Sequence, residues 1–79
     1  MSKLPMITTK TVIQLLNQLG FELSRQKGSH KFFKHPDGRT ATVPDHPGED
    51  LGRGILKKIL NDIEISRDEF SDWLHKRKM

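Results

Sequence analysis

The chain is 79 residues long, which is enough for one domain with a small core, and it contains no cysteine. Disulfides and thiolate metal sites are therefore excluded, and apolar runs of at most two or three residues predict neither a signal peptide nor a membrane span, so that a cytoplasmic protein is expected. The net charge of +4 comes from residues 1–48, which hold seven Lys and Arg against three Asp and Glu, because residues 49–79 hold seven of each.

The first helix is predicted from apolar residues at a spacing of i, i+3, i+4 and i+7, which places them on one face. These residues are Val12, Leu15, Leu16 and Leu19. Thr8 or Thr9 can cap the amino end of this helix, and Gly20 is suited to end it. Residues 1–7 are expected to form a loose lead-in.

Three strands are predicted next, because the apolar period changes to two residues at Phe21. Phe21, Leu23 and Arg25 are then expected to share one face of the first strand. The predicted segments are a hairpin turn at 27–29, a second strand at 30–35, a turn at 36–39 and a third strand at 40–43. Pro44 is expected to end the third strand, which completes an antiparallel meander.

A second helix is predicted from near 52–54 to Asn61, again from the helical spacing of its apolar residues. They are Leu56, Ile59, Leu60 and Ile63. Ser66 and Glu69 then fit a capping box, which opens a short terminal helix. The apolar residues of that helix, which we interpret as core or interface rather than as base-stacking platforms, are Phe70, Trp73 and Leu74.

This order of elements predicts an α+β fold in a single domain, residues 1–79. Two helices and a short extra C-terminal helix cover one face of a three-stranded antiparallel sheet, and the other face is left open. The α-β-β-β-α arrangement is similar to that of double-stranded-RNA-binding domains.

The candidate functional residues lie in and around the first hairpin, where His30 stands among cations. The cations are Lys27, Lys31, Lys34 and Arg39. Strand alternation predicts Lys34 on the face of His30 and Lys31 on the opposite face. Clustered cations gain affinity for phosphates by releasing condensed counterions, although a merely solvated surface is the plain alternative.

Each residue of the hairpin has a structural interpretation beside the functional one. His30 either packs at a strand edge or acts in acid–base catalysis of RNA cleavage, since imidazole titrates near pH ~6.5. Gly28 allows a positive φ in the turn and also lets a phosphate approach the backbone. Ser29 either donates to a phosphate or fills the turn.

No metal or other cofactor is predicted. His30 and His35 are five residues apart on one strand and therefore point to opposite faces, so they cannot share an ion. His46 could approach either of them, but the chain has no cysteine and no carboxylate pattern to complete a site.

With these residues in place, the chain resembles the HicA family of small toxins, from bacterial and archaeal toxin–antitoxin pairs. The resemblance extends from Thr11 to Phe70 and depends on an ordered set of short motifs. They are Leu-Gly-Phe at 19–21, Lys-Gly-Ser-His at 27–30, Phe32 or Phe33, His-Pro-Asp-Gly at 35–38, Thr-Val-Pro at 42–44, Gly-Ile-Leu-Lys-Lys-Ile-Leu at 54–60 and Ile-Ser-Arg-Asp-Glu-Phe at 65–70. The chain departs from the family pattern at 63–64, where many relatives have a small residue and glycine, and in the loop at 45–47.

The resemblance implies an endoribonuclease that cleaves mRNA and is inhibited by a HicB-type antitoxin. It implies His30 as the catalytic histidine and Gly28 as its adjoining glycine. We predict a metal-independent enzyme without a membrane partner, and the predicted substrate-binding residues are Lys27, Gly28, Ser29, Lys34 and Arg39. The alternatives are a non-catalytic binder of structured RNA on the same fold, or a degenerate toxin that acts only as a protein-interaction module.

Overall fold

The computed structural model describes residues 7–46 and 50–77, and within them a three-stranded antiparallel sheet carries helices on one face. The elements are β1 (Ile7–Thr8), α1 (Thr9–Gln18), β2 (Glu22–Lys27), β3 (His30–Lys34), β4 (Thr40–Pro44), β5 (Asp50–Leu51), α2 (Arg53–Asp62) and α3 (Arg67–Arg77). The order β2-β3-β4 and the helices confirm the predicted α+β fold with an extra C-terminal helix, although α3, with 11 residues, is not shorter than α1 and α2, with 10 each. None of the helices in these residues is long and apolar enough to cross a membrane.

Helix α1 begins and ends at residues suited to those positions. The Thr8 hydroxyl accepts a hydrogen bond from the Thr11 N–H, so Thr8 rather than Thr9 is the N-cap. Gly20 adopts a φ of +97° just beyond the helix. The N–H groups of Gly20 and Phe21 then donate to two of the last helical carbonyls, which satisfies groups that have no partner inside the helix.

The core lies between the helices and the inner face of the sheet. The predicted apolar faces of both helices are buried there, except that Leu19 is only partly buried. They pack together with residues of β3 and β4. The buried apolar residues are Val12, Leu15, Leu16, Phe21, Phe33, Ala41, Val43, Leu51, Leu56, Ile59, Leu60, Ile63 and Phe70. Helices α1 and α2 pack against β4, so β2 lies at the far edge, and all six of its residues are exposed. The outer face of the sheet has no helix over it in the described residues.

The predicted alternation along β2 is wrong beyond Leu23. Leu23 lies opposite Phe33, on the inner face, but the register shifts before Arg25, which lies opposite Phe32 on the outer face. The cause is a β-bulge that leaves Ser24 without a cross-strand partner. Leu23 and Arg25 therefore do not share a face, and Leu23 is half-exposed because the helices do not reach this edge.

A second, two-stranded sheet was not predicted. Ile7, expected in the lead-in, pairs with Leu51, and Thr8 pairs with Asp50. These strands are too short to show a period of two in the sequence. Residues 1–6 of the lead-in lie outside the described residues.

Helix α3 begins with the predicted capping box. The Ser66 N–H donates to Glu69 Oε1 over 3.0 Å, and the Glu69 N–H donates to Ser66 Oγ over 3.1 Å. These bonds lower the pKa of the Glu69 carboxyl, the backbone bond from Ser66 most of all. Phe70 is fully buried in the core and stacks on Trp73, which is partly buried against the core.

Glu64 takes the place that a glycine usually occupies after a helix. Its φ is +62°, and the N–H groups of Glu64 and Ile65 donate to Asn61 and Leu60 carbonyls in the pattern that ends many helices. The departure at 63–64 therefore leaves the connection to α3 intact. It places a side chain in a conformation that L residues rarely adopt.

Replacing Glu64 with glycine is expected to raise the free energy of unfolding by about 0.5–1 kcal/mol in urea denaturation. Glycine relieves the ~1–2 kcal/mol that the left-handed conformation costs an L residue. It also loses more backbone entropy on folding, which offsets ~0.5–1 kcal/mol of that gain. Glu64→Ala is the matched control, because it keeps Cβ and therefore the strained backbone. An equal gain in the alanine variant would show that the carboxylate, not the backbone, is responsible.

Candidate active site

The turn between β2 and β3 sets the geometry of the candidate site. Lys27 and His30 lie directly opposite each other in the register, with only Gly28 and Ser29 between them. Gly28 has a φ of +59° and Ser29 has no positive φ, which is the pattern of a type II′ hairpin turn. A Cβ added at Gly28 would meet no atom within 4 Å, so the backbone of the turn is open to an approaching group.

The inner side of the hairpin is held by Asp45, which follows β4. The Asp45 N–H donates to the Ser29 carbonyl over 2.6 Å, and the Asp45 carboxylate forms an ion pair with Lys31 Nζ at 2.7 Å. Lys31 therefore lies on the face opposite His30 and is neutralised there. The Ser29 hydroxyl makes no hydrogen bond within the described residues, so it is free to donate to a ligand.

His30 is exposed on the outer face of the sheet. Its imidazole makes no hydrogen bond or ion pair to any other described residue. An imidazole without a protein partner can both accept and donate a proton toward a bound molecule. The side chain therefore has the access that an acid–base catalyst requires, and within the described residues it makes no hydrogen bond or ion pair that would give it a structural role.

The cations near His30 differ in distance and in pairing. Lys27 is its cross-strand neighbour, with Cα atoms about 5 Å apart in such pairs. Lys34 shares the outer face, but four residues along β3 place it ~13 Å from His30. Neither ammonium has an ion-pair partner among residues 7–46 and 50–77, although Glu22 lies opposite Lys34. Lys27 is the cation nearest to His30 in the register.

The chain matches a known family. The family model described as HicA toxin of bacterial toxin-antitoxin matches residues 9–65, well over half of the chain. The chain belongs to the HicA toxin family. It is thus a toxin of a bacterial toxin–antitoxin system, which implies an antitoxin partner. No curated protein matches it in sequence. The match includes the whole hairpin and ends before the motif residues at 66–70.

In this HicA toxin, Arg39 lies at the other end of β3 from His30 and is engaged in the fold. Its Nε donates to Asp37 Oδ2 over 2.8 Å, and its Nη1 donates to the carbonyl of Ile63 at the end of α2. The guanidinium also lies over the ring of Phe21, with Cζ 5.2 Å from the centroid. The Arg39 N–H, followed by the guanidinium, holds the pKa of the Asp37 carboxyl below its usual range.

His35 also has a structural role in this HicA toxin. Its Nε2 lies 3.1 Å from the Leu19 carbonyl and donates to it, and its Nδ1 accepts from the Asp37 N–H. The ring packs on Phe21 with centroids 5.0 Å apart, and a Cβ added at Gly20 would lie 3.2 Å from its Nε2, a tighter contact than side chains usually make. His35 thus joins the end of β3 to the end of α1.

His46, the third histidine weighed as a possible metal ligand, is exposed after β4. In the described parts of the chain, no three His, Asp or Glu side chains come together as metal ligands.

Sequence reasoning missed one pair on the outer face of this HicA toxin. Arg25 Cζ lies 4.9 Å from the centroid of the Phe32 ring. The signal that could have revealed it is the bulge at Ser24, and a bulge leaves no mark in the spacing of apolar residues.

Proposed function

We propose that this HicA toxin is a metal-independent endoribonuclease that cleaves mRNA in the cytoplasm, with His30 as its catalytic residue. The observation that carries the proposal is the position of His30: exposed, without a protein partner, and opposite the unpaired Lys27 across an open glycine turn. Family membership supports a toxic activity but not a particular reaction.

The reaction that these groups suit is attack of a ribose 2′-hydroxyl on the adjacent phosphorus. The new bond joins the 2′-oxygen to phosphorus, the bond to the 5′-oxygen breaks, and the products are a 2′,3′-cyclic phosphate and a 5′-hydroxyl. The His30 imidazole either accepts the proton of the 2′-hydroxyl or donates one to the leaving 5′-oxygen, and solvent water exchanges the other proton. The Lys27 ammonium stabilises the charge that develops on the phosphoryl oxygens.

The turn supports this reaction in two ways. Gly28 presents no side chain, so a phosphate can approach the backbone of the hairpin. Ser29 has an unpaired hydroxyl that can donate to the same phosphate. Lys34 lies farther along the face and would contact a neighbouring phosphate rather than the scissile one.

Purified protein is expected to cut single-stranded RNA but not DNA of the same sequence, and cutting should continue in excess EDTA. DNA lacks the 2′-hydroxyl that attacks phosphorus, and none of the proposed roles belongs to a metal ion. Gel analysis with end-group mapping measures both results. Cutting of DNA, or loss of cutting in EDTA with recovery on adding Mg²⁺, would contradict this mechanism.

We further propose that a HicB-type antitoxin inhibits the toxin by covering the outer face with acidic residues. The proposal is motivated by the unpaired cations there, since a buried carboxylate partner would neutralise them and exclude RNA. A double-mutant cycle between Lys34→Ala and an antitoxin carboxylate is expected to show coupling of about 0.5–3 kcal/mol. The same cycle with the exposed Lys10 of α1 is the control. No coupling of Lys34 or Lys27 to any antitoxin carboxylate would count against it.

A further inference from the structure

Three arginines of the described chain lie over aromatic rings, and one of them differs from the other two. Arg39 on Phe21 and Arg77 on Trp73 also donate hydrogen bonds, to the Ile63 carbonyl and to Gln14, which fix each guanidinium inside the fold. Arg25 lies on Phe32 with no further hydrogen bond or ion pair in residues 7–46 and 50–77. Its guanidinium therefore keeps all of its donors available.

The bulge in β2 places this pair beside His30. Without the register shift, Arg25 would lie on the same face as Leu23, on the inner side of the sheet. With it, Arg25 lies opposite Phe32 on the outer face. Phe32 is two residues from His30 on the same strand face, about 7 Å away. Bulges commonly redirect a side chain in this way next to active sites.

We propose that Arg25 and Phe32 form a stacking platform for one unpaired nucleobase next to the phosphate at His30. The platform makes unpaired RNA the substrate of the proposed ribonuclease, and the inference rests on that proposed function. Proteins that bind single strands stack bases on aromatic rings and on arginine planes. A base in a duplex is already stacked on both sides and cannot use the platform.

The platform and the cations contribute to RNA affinity in different ways. Lys27 and Lys34 attract phosphates of any strand, paired or unpaired, because charge attraction does not depend on the bases. The Arg25–Phe32 pair would add affinity only when a base is free to stack. The geometry therefore predicts a base-dependent component of binding that is separable from the charge-dependent one.

The test uses the full chain carrying His30→Ala, so that RNA is bound without being cut. Fluorescence anisotropy measures its affinity for a labelled ten-nucleotide single strand and for the same backbone with abasic nucleotides. Adding Arg25→Lys, which keeps the charge but not the planar group, is expected to weaken binding of the strand with bases by at least about 5-fold, the lower end of the loss expected for one stacked base. Affinity for the abasic strand should stay unchanged.

Phe32→Leu is the second variant, because it keeps an apolar side chain without a stacking face. It should show the same base-dependent loss, with folding checked by circular dichroism. Lys10→Ala removes a charge from the helical side and should leave both affinities unchanged. If neither Arg25→Lys nor Phe32→Leu weakens binding of the strand with bases, or if both strands weaken equally, the platform is wrong while RNA cleavage by the wild type stands. If the His30→Ala chain binds neither strand and the wild type cuts no RNA, the platform and the proposed function both fail.

Discussion

Replacing His30 with alanine is expected to lower the rate of RNA cleavage by at least about 100-fold, since positioned acid–base groups contribute ~10²–10⁴-fold. The side chain is exposed and has no partner in the described residues, so its loss should change the free energy of unfolding by less than about 0.5 kcal/mol. The rate of cleavage is thus expected to fall while the free energy of unfolding stays almost unchanged. Cleavage of a labelled RNA and urea denaturation of the same preparations measure the two effects.

The other histidines provide matched controls. His46→Ala removes another exposed imidazole, from the loop after β4, and should leave cleavage unchanged. His35→Ala removes the contacts with Leu19 and Phe21 and should lower stability without a specific loss of cleavage. A variant without His30 that still cuts RNA at the wild-type rate would remove that residue from the mechanism.

The same substitution separates the three functions that the sequence left open. If the protein is an RNA-cleaving toxin, inducing the wild type in cells arrests growth and degrades mRNA, whereas inducing the His30→Ala variant does neither. A non-catalytic RNA binder would arrest growth in both forms, without cleavage. A degenerate toxin would arrest growth in neither, although both proteins accumulate folded.

The features that the sequence predicted well are those set by short spacings. The apolar period of 3.6 residues identified both main helices, and Gly20 and the Ser66–Glu69 pair marked helix ends that the structure confirms. The Lys27–His30 hairpin could be recognised because glycine at the first position of a two-residue turn is typical of a type II′ hairpin. Each of these depends on neighbours within about four residues.

The features that it missed depend on contacts between distant parts of the chain. The pairing of β1 with β5 joins residues more than forty positions apart, and two-residue strands carry no period of their own. The bulge at Ser24 moves Arg25 to the outer face only because of its register against β3. The partners of Arg39 could not be predicted either, because one of them, the Ile63 carbonyl, is twenty-four residues away.

Arg39→Ala is expected to lower the free energy of unfolding by about 1.5–3 kcal/mol, which is typical for hydrogen bonds to a charged group. The loss leaves the Ile63 carbonyl without the donor that satisfies it at the end of α2, and removes the ion pair with Asp37. Although Arg39 was predicted to bind substrate, cleavage per folded molecule should stay within about twofold of wild type, because mutations distant from a site rarely couple to it. Urea denaturation and cleavage under strongly folding conditions measure the two quantities.

Lys27→Ala is the comparison that makes the result for Arg39 decisive. Lys27 is also a cation, but unlike Arg39 it is exposed and has no partner in the described residues. Its loss should therefore reduce cleavage and leave stability almost unchanged. Opposite effects of the two substitutions would restrict the site to the end of the sheet that carries His30. If Arg39→Ala instead reduced cleavage at unchanged stability, substrate would have to extend along the whole of β3. The contact with the Ile63 carbonyl would then contribute little to folding.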